Sequence, residues 1–215
     1  MYLITLELNS LNLNLNLNLF VLFLIILVIV FFTKYNGLEK ILNFFNKNSE
    51  VTIDEVKLGI GSTHITITPN NKDKEIAYKL WVELSTRKIG IPINEEDDVI
   101  YEIYKSWYEF FGIARMLLKE YPLTKINDES SKKIIFITEK ILNKELRNHL
   151  TKWQAKFRHW YEIELKKEKN YNLSPQEIQM KYPDYNELLN NLKETNEHLI
   201  NYKKVLYEIV FDEEK

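Results

Sequence analysis

The chain has 215 residues, 28% of them charged, with a formal net charge of −2. That balance excludes both a polycation built for nucleic acid and an acidic disordered chain, so any charge signal has to be local. With no cysteine, disulfides, thiolate metal sites and a cysteine nucleophile are excluded as well, which fits a reducing compartment such as the cytoplasm.

Residues 11–18 alternate leucine with asparagine, and Leu19 to Phe32 then run for fourteen residues without a polar side chain. At about 1.5 Å per residue this run is short for a hydrocarbon layer of about 30 Å. Extending a helix back through Leu11 gives 22 residues, enough to span, and brings Asn12, Asn14, Asn16 and Asn18 into the bilayer. The alternation itself has the period of a half-buried strand. An isolated strand would leave its backbone groups unpaired in lipid, however, which favours the helix. On that helix Asn12 and Asn16 share one side and Asn14 and Asn18 nearly the opposite side, at about 100° per residue. Two asparagine faces favour a homo-oligomer or a water-filled path, and make these four residues the membrane or pore candidates. The alternatives are a low-complexity repeat outside the membrane and a hydrophobic helix buried in a soluble core.

The first 33 residues hold no Lys or Arg and no Ala-x-Ala pattern, so a cleaved signal peptide is not expected. Lys34, Lys40 and Lys47 follow the apolar run whereas only Glu7 precedes it. The positive-inside rule then places a single-pass protein with its C-terminal domain in the cytoplasm. The expected organisation is a transmembrane segment over residues 1–35, a juxtamembrane amphipathic helix and linker over 36–48, and a cytoplasmic domain over 49–215.

That domain is expected to be mainly α with a small β hairpin. Val51, Ile53, Val56, Leu58, Ile60, Ile65 and Ile67 predict the hairpin over 51–68, with Gly59 and Gly61 as turn residues. Helical spacing predicts a helix over 73–84, followed by a connector with Arg87 and Lys88. Asn94 predicts an N-cap for a helix over 95–120, with Glu95, Glu96, Asp97 and Asp98 complementing its positive end rather than holding a metal. Val99, Ile103, Trp107, Phe110, Ala114, Leu117 and Leu118 of that helix face inward. A longer helical region follows over 130–169 with a break, then a short helix over 176–181 and a last one over 184–211. In the last, Leu188, Leu192, Thr195, Leu199, Tyr202, Leu206 and Ile209 step by 3 and 4, as in a coiled-coil seam. Packing of the same face onto the helix over 95–120 is the alternative, favoured by Thr195.

The charge signal lies in the region over 130–169. From Lys132 to Arg158 there are eight Lys or Arg against two Glu, a local +6. Leu146, Leu150, Trp153, Phe157 and Trp160 recur at helical spacing and form a buried face. Lys144, Arg147, Thr151 and Arg158 flank it on one side, and His149, Lys152, Lys156 and His159 on the other. Cations beside aromatic rings hold phosphates while bases stack, so Lys144, Arg147, His149, Lys152, Lys156 and Arg158, with Arg87 and Lys88, are the candidate phosphate or nucleic-acid ligands. Anionic lipid headgroups or plain solvation would use the same lysines. Catalysis has less to work with: no HExxH or paired His and Asp motif is present. Arg147 with His149, and Arg158 with His159, depart from the Arg-to-His spacing of four to six that HEPN-type ribonucleases show. No catalytic residue, metal site or cofactor is assigned.

The stretches AYKLWVELSTRKIGIPI from Ala77, DDVIYEIYKSWYEFF from Asp97 and LRNHLTKWQAKFRHWYE from Leu146 resemble the transmembrane effectors of nucleotidyltransferase-paired bacterial antiphage defence systems, of the Hailong type. The resemblance implies a toxic effector of the inner membrane that oligomerises and opens a pore. It also implies gating by a nucleotide or DNA-oligomer ligand on the cytoplasmic domain, and a cognate nucleotidyltransferase as partner. A membrane-anchored scaffold with a C-terminal coiled coil and a membrane-tethered ribonuclease are the alternatives.

Overall fold

The computed structural model describes residues 50–211, residues 21, 23–27 and 30, and the backbone of 2–8 and 13–18. The chain divides into two units, Met1–Lys47 and Asn48–Lys215.

In the first unit, Tyr2–Leu8 (β1) pairs antiparallel with Leu13–Asn18 (β2), from Leu8 opposite Leu13 to Tyr2 opposite Asn18. This corrects the expected helical extension: Asn14, Asn16 and Asn18 lie at alternate positions of a strand, while Asn12 lies outside the described residues. The objection to a strand assumed an isolated one. Residues 2–8 supply a partner for its backbone, so the period-2 alternation prevails. Residues 23–27 are helical, and Phe23, Leu24, Ile25, Ile26 and Leu27 are all exposed. No helix among the described residues is long and apolar enough to cross a membrane. The expected juxtamembrane helix over 36–48 falls outside the described residues.

The second unit opens with the expected hairpin. Val51–Asp54 (β3) pairs with His64–Ile67 (β4), and Val51, Ile53 and Ile67 turn inward. Asn71–Thr86 (α1) starts two residues earlier than expected, because Asn70 and Asp73 form a reciprocal capping box. The Asp73 carboxyl is fully buried. It accepts from the Asn70 amide at 3.0 Å, from Ser131 Oγ at 2.7 Å and from Tyr121 OH at 3.2 Å. One side chain thus fastens the start of α1 to two later segments.

Ile100–Lys119 (α2) begins later than the acidic cluster suggested. Asn94 caps a turn instead, its Oδ1 accepting from the Glu96 amide at 3.0 Å, and Val99 is extended. The start of α2 is held by Gln179, whose Oε1 accepts from the Ile100 amide at 2.9 Å while its Nε2 donates to the Asp98 carbonyl at 2.9 Å. Ile103, Trp107, Phe110, Ala114 and Leu117 are buried as expected.

Glu129–Lys140 (α3) and Arg147–Glu164 (α4) are joined through Ile141–Leu146, a π-helical segment. The expected break is therefore a widened turn in a continuous rod. Pro175–Gln179 (α5), capped by Ser174 and Glu177, leads to Tyr185–Phe211 (α6). The heptad residues of α6 from Leu188 to Ile209 are buried within this unit. They pack chiefly along α1, so the face that resembles a coiled-coil seam is taken up inside the chain, and its neighbour is not the helix over 95–120 but the one before it.

Candidate functional site

Two stripes at helical spacing face each other across α2 and α4. Tyr108, Phe111, Gly112 and Arg115 lie at i, i+3, i+4 and i+7 of α2. Arg147, Leu150, Thr151, Gln154 and Ala155 lie at i, i+3, i+4, i+7 and i+8 of α4. Between them is an open cleft of about 490 Å³. Gln154 also lines a smaller pocket of about 80 Å³ with Tyr101, Tyr104, Lys105 and Arg158, which extends the cleft along the same two helices. The cleft exists because Gly112, Thr151 and Ala155 are small where the helices would otherwise fill the space.

Arg147 has its guanidinium carbon 5.0 Å from the centre of the Phe111 ring, and its Nε donates to Asn143 Oδ1 at 2.9 Å. Tyr108 at the rim is 65% exposed. Among the described residues no carboxylate pairs with Arg115, Arg147 or Arg158. Arginines without acidic partners beside exposed aromatic faces can bind phosphate through paired N–H donors and stack a planar base.

Gly112 adds an independent sign of a kept space. A Cβ built there would meet no atom within 4 Å, so packing does not require glycine, although glycine inside a helix costs about 0.5–1 kcal/mol relative to alanine. Gly112→Ala is therefore expected to stabilise the domain by about 0.5–1 kcal/mol in urea unfolding while narrowing the cleft.

The structure gathers only part of the expected site. Arg147 and Arg158 line the cleft system, with Thr151 from the same stripe. Lys144 instead donates to the Ile60 carbonyl at 3.3 Å, and Lys152 pairs with Glu187 at 2.8 Å. Lys156 is exposed on the other flank of α4. Arg87 is held between Glu83 and Glu109, both at 2.5 Å, and Lys88 by Asp98 at 2.8 Å, so these two serve the connector. Arg115 lies off the inward face of α2 that the apolar spacing singles out. Its position four residues after Phe111 and seven after Tyr108 was the available signal.

His149 is the clearest correction. It is 2% exposed, with Nε2 at 3.2 Å from Tyr104 OH and Nδ1 at 2.8 Å from Asn191 Oδ1, so it is a core residue and not a phosphate ligand. Trp153 Nε1 donates to the same Asn191 oxygen at 3.1 Å. Burial pushes the imidazole down to about 4, against a partial opposing effect of Asn191. The folded state thus disfavours the proton. This stability is complete above the unfolded value near 6.5 and is lost as the pH falls through about 4. From pH 7 to below 4 this group is expected to withdraw about 3 kcal/mol, read as a pH dependence of unfolding that His149→Gln flattens by that amount. Equal pH slopes for the two proteins would contradict the assignment.

The cleft has no acid–base pair of histidine and carboxylate among its lining residues. Among the described residues no group of three or more His, Asp or Glu side chains is placed to hold a metal ion. No protein-family model, curated protein or solved structure matches this chain.

Proposed function

We propose that this chain is a membrane-anchored, non-enzymatic effector whose helical domain binds a nucleotide or a short DNA strand in the α2–α4 cleft. Through that ligand it controls a homo-oligomeric assembly that disrupts the inner membrane. The observation that carries the ligand reading is that Arg115, Arg147, Phe111 and Tyr108 line one open cleft, with the Arg147 guanidinium over the Phe111 ring. The membrane reading is supported by the helical residues 23–27, whose five large apolar side chains are all exposed, an arrangement that lipid tolerates and water does not. The family resemblance adds the defence setting and a nucleotidyltransferase that supplies the ligand.

The test uses the full chain in lipid nanodiscs and a fluorescein-labelled hexadeoxynucleotide followed by anisotropy. Binding is expected, weakening as salt rises from 50 to 200 mM because phosphate contacts release counterions. No binding at 50 mM salt overturns the ligand reading. The anchor is checked separately: the protein is expected to stay in the membrane pellet after an alkaline carbonate wash, and release into the supernatant overturns it. Induced expression is expected to depolarise cells, whereas RNA breakdown without depolarisation would favour a tethered ribonuclease.

A further inference from the structure

The π-helical segment Ile141–Leu146 sits directly before Arg147 and separates α3 from α4. Wide i→i+5 turns are rare, and where they occur inside helices they are frequent at functional sites, since they can convert to the ordinary i→i+4 ladder. Here three consecutive residues of the wide turn grip three different parts of the fold. Asn143 Oδ1 accepts from Arg147 Nε at 2.9 Å, on the cleft side. Lys144 Nζ donates to the Ile60 carbonyl at 3.3 Å, in the loop joining β3 to β4. Glu145 Oε2 lies 2.6 Å from His198 Nδ1 on α6.

The last two contacts converge on one loop. Gly59 has φ +72°, and a Cβ there would lie 2.5 Å from His198 Cε1 and 3.0 Å from Glu145 Cδ. The β3–β4 loop is therefore seated on the Glu145–His198 pair and tied by Lys144. An α-turn in place of the π-turn would re-aim these side chains relative to one another, since it closes a ring one residue smaller. Arg147 gives its Nε–H to Asn143, so an anion held side-on through Nε–H and a neighbouring Nη–H, the bidentate mode of the guanidinium, competes with the Asn143 contact.

We propose that the π segment is the transmission element of this domain: an anion bound at Arg147 draws it from Asn143, the wide turn tightens, and the grip of Lys144 on the β3–β4 loop changes. This rests on the cleft being the ligand site. The hairpin that receives the signal is the first described element of its unit.

Hydrogen exchange of the full chain in nanodiscs tests it, read at the amides of Leu58, Gly59 and Ile60, which bond within the loop. Without any ligand, Arg147→Ala and Asn143→Ala are each expected to change exchange there about fivefold or more, and Arg158→Ala, also in the cleft but not tied to the π segment, is expected to leave it unchanged. Loop exchange within twofold of wild type in both of the first two variants, or an equal change in Arg158→Ala, overturns the proposal. With the hexadeoxynucleotide, wild type is expected to show the loop change and Asn143→Ala to bind without it. A loop response that persists in bound Asn143→Ala also overturns it. Absence of oligonucleotide binding would refute the cleft as ligand site, while the ligand-free arm still decides whether Arg147 is coupled to the loop.

Discussion

Replacing Arg115 and Arg147 together by glutamate is expected to weaken hexadeoxynucleotide binding at least about 100-fold, because each lost charge-assisted contact is worth about 1.5–3 kcal/mol and the new carboxylates repel phosphate. Both side chains are on the cleft surface and neither pairs with an acid among the described residues, so the fold should survive the change. The salt dependence supplies a second readout. If each arginine meets one phosphate, the slope of log affinity against log salt should fall by roughly 1.4 for a single-stranded ligand. Lysine at both positions should retain the slope and lose part of the affinity, because an ammonium cannot reproduce the planar fork or lie flat on Phe111. Charge reversal at Arg87 and Lys88 should leave affinity nearly unchanged, since both are already committed to Glu83, Glu109 and Asp98. Undiminished binding by the double glutamate variant would remove the cleft from consideration.

Asp73→Ala is expected to cost about 3–5 kcal/mol of unfolding free energy, which lowers the melting temperature of a domain of this size by roughly 10 °C. The loss is large because three donors are left without their acceptor at once: the Asn70 amide, Ser131 Oγ and Tyr121 OH. Asp73 is fully buried, so water does not replace it at no cost. Asp73→Asn, which keeps one carbonyl oxygen, should lose about half as much. A melting temperature for Asp73→Ala within 2 °C of wild type would show that these donors find other partners.

The helices were legible wherever the information was local. Ile103, Trp107, Phe110, Ala114 and Leu117 repeat at helical spacing, and the same is true of Leu188 to Ile209, so both buried faces could be read directly. What faced them could not: α6 lies on α1, a choice that no pattern within α6 encodes. His149 illustrates the same limit in the candidate site. On α4 alone it sits beside lysines, but α2 brings Tyr104 and Trp107 against it, with ring centres 5.7 and 5.3 Å away. Arg87 was half legible, since Glu83 is one turn earlier, whereas Glu109 comes from α2. In the leucine–asparagine repeat the period was correct and the inference from it was not, because the strand's partner lay in the first eight residues.

The dependence of α2 on Gln179 has a consequence for how the protein is made. The first turn of α2 is completed by a side chain 79 residues further along the chain. A ribosome at ordinary speed needs several seconds to cover that distance. During that interval α2 has no fixed beginning, and one wall of the cleft is unanchored. Nascent chains and fragments ending before residue 179 are thus expected to be unable to bind the hexadeoxynucleotide, because the start of α2 stays unfixed until Gln179 has been added.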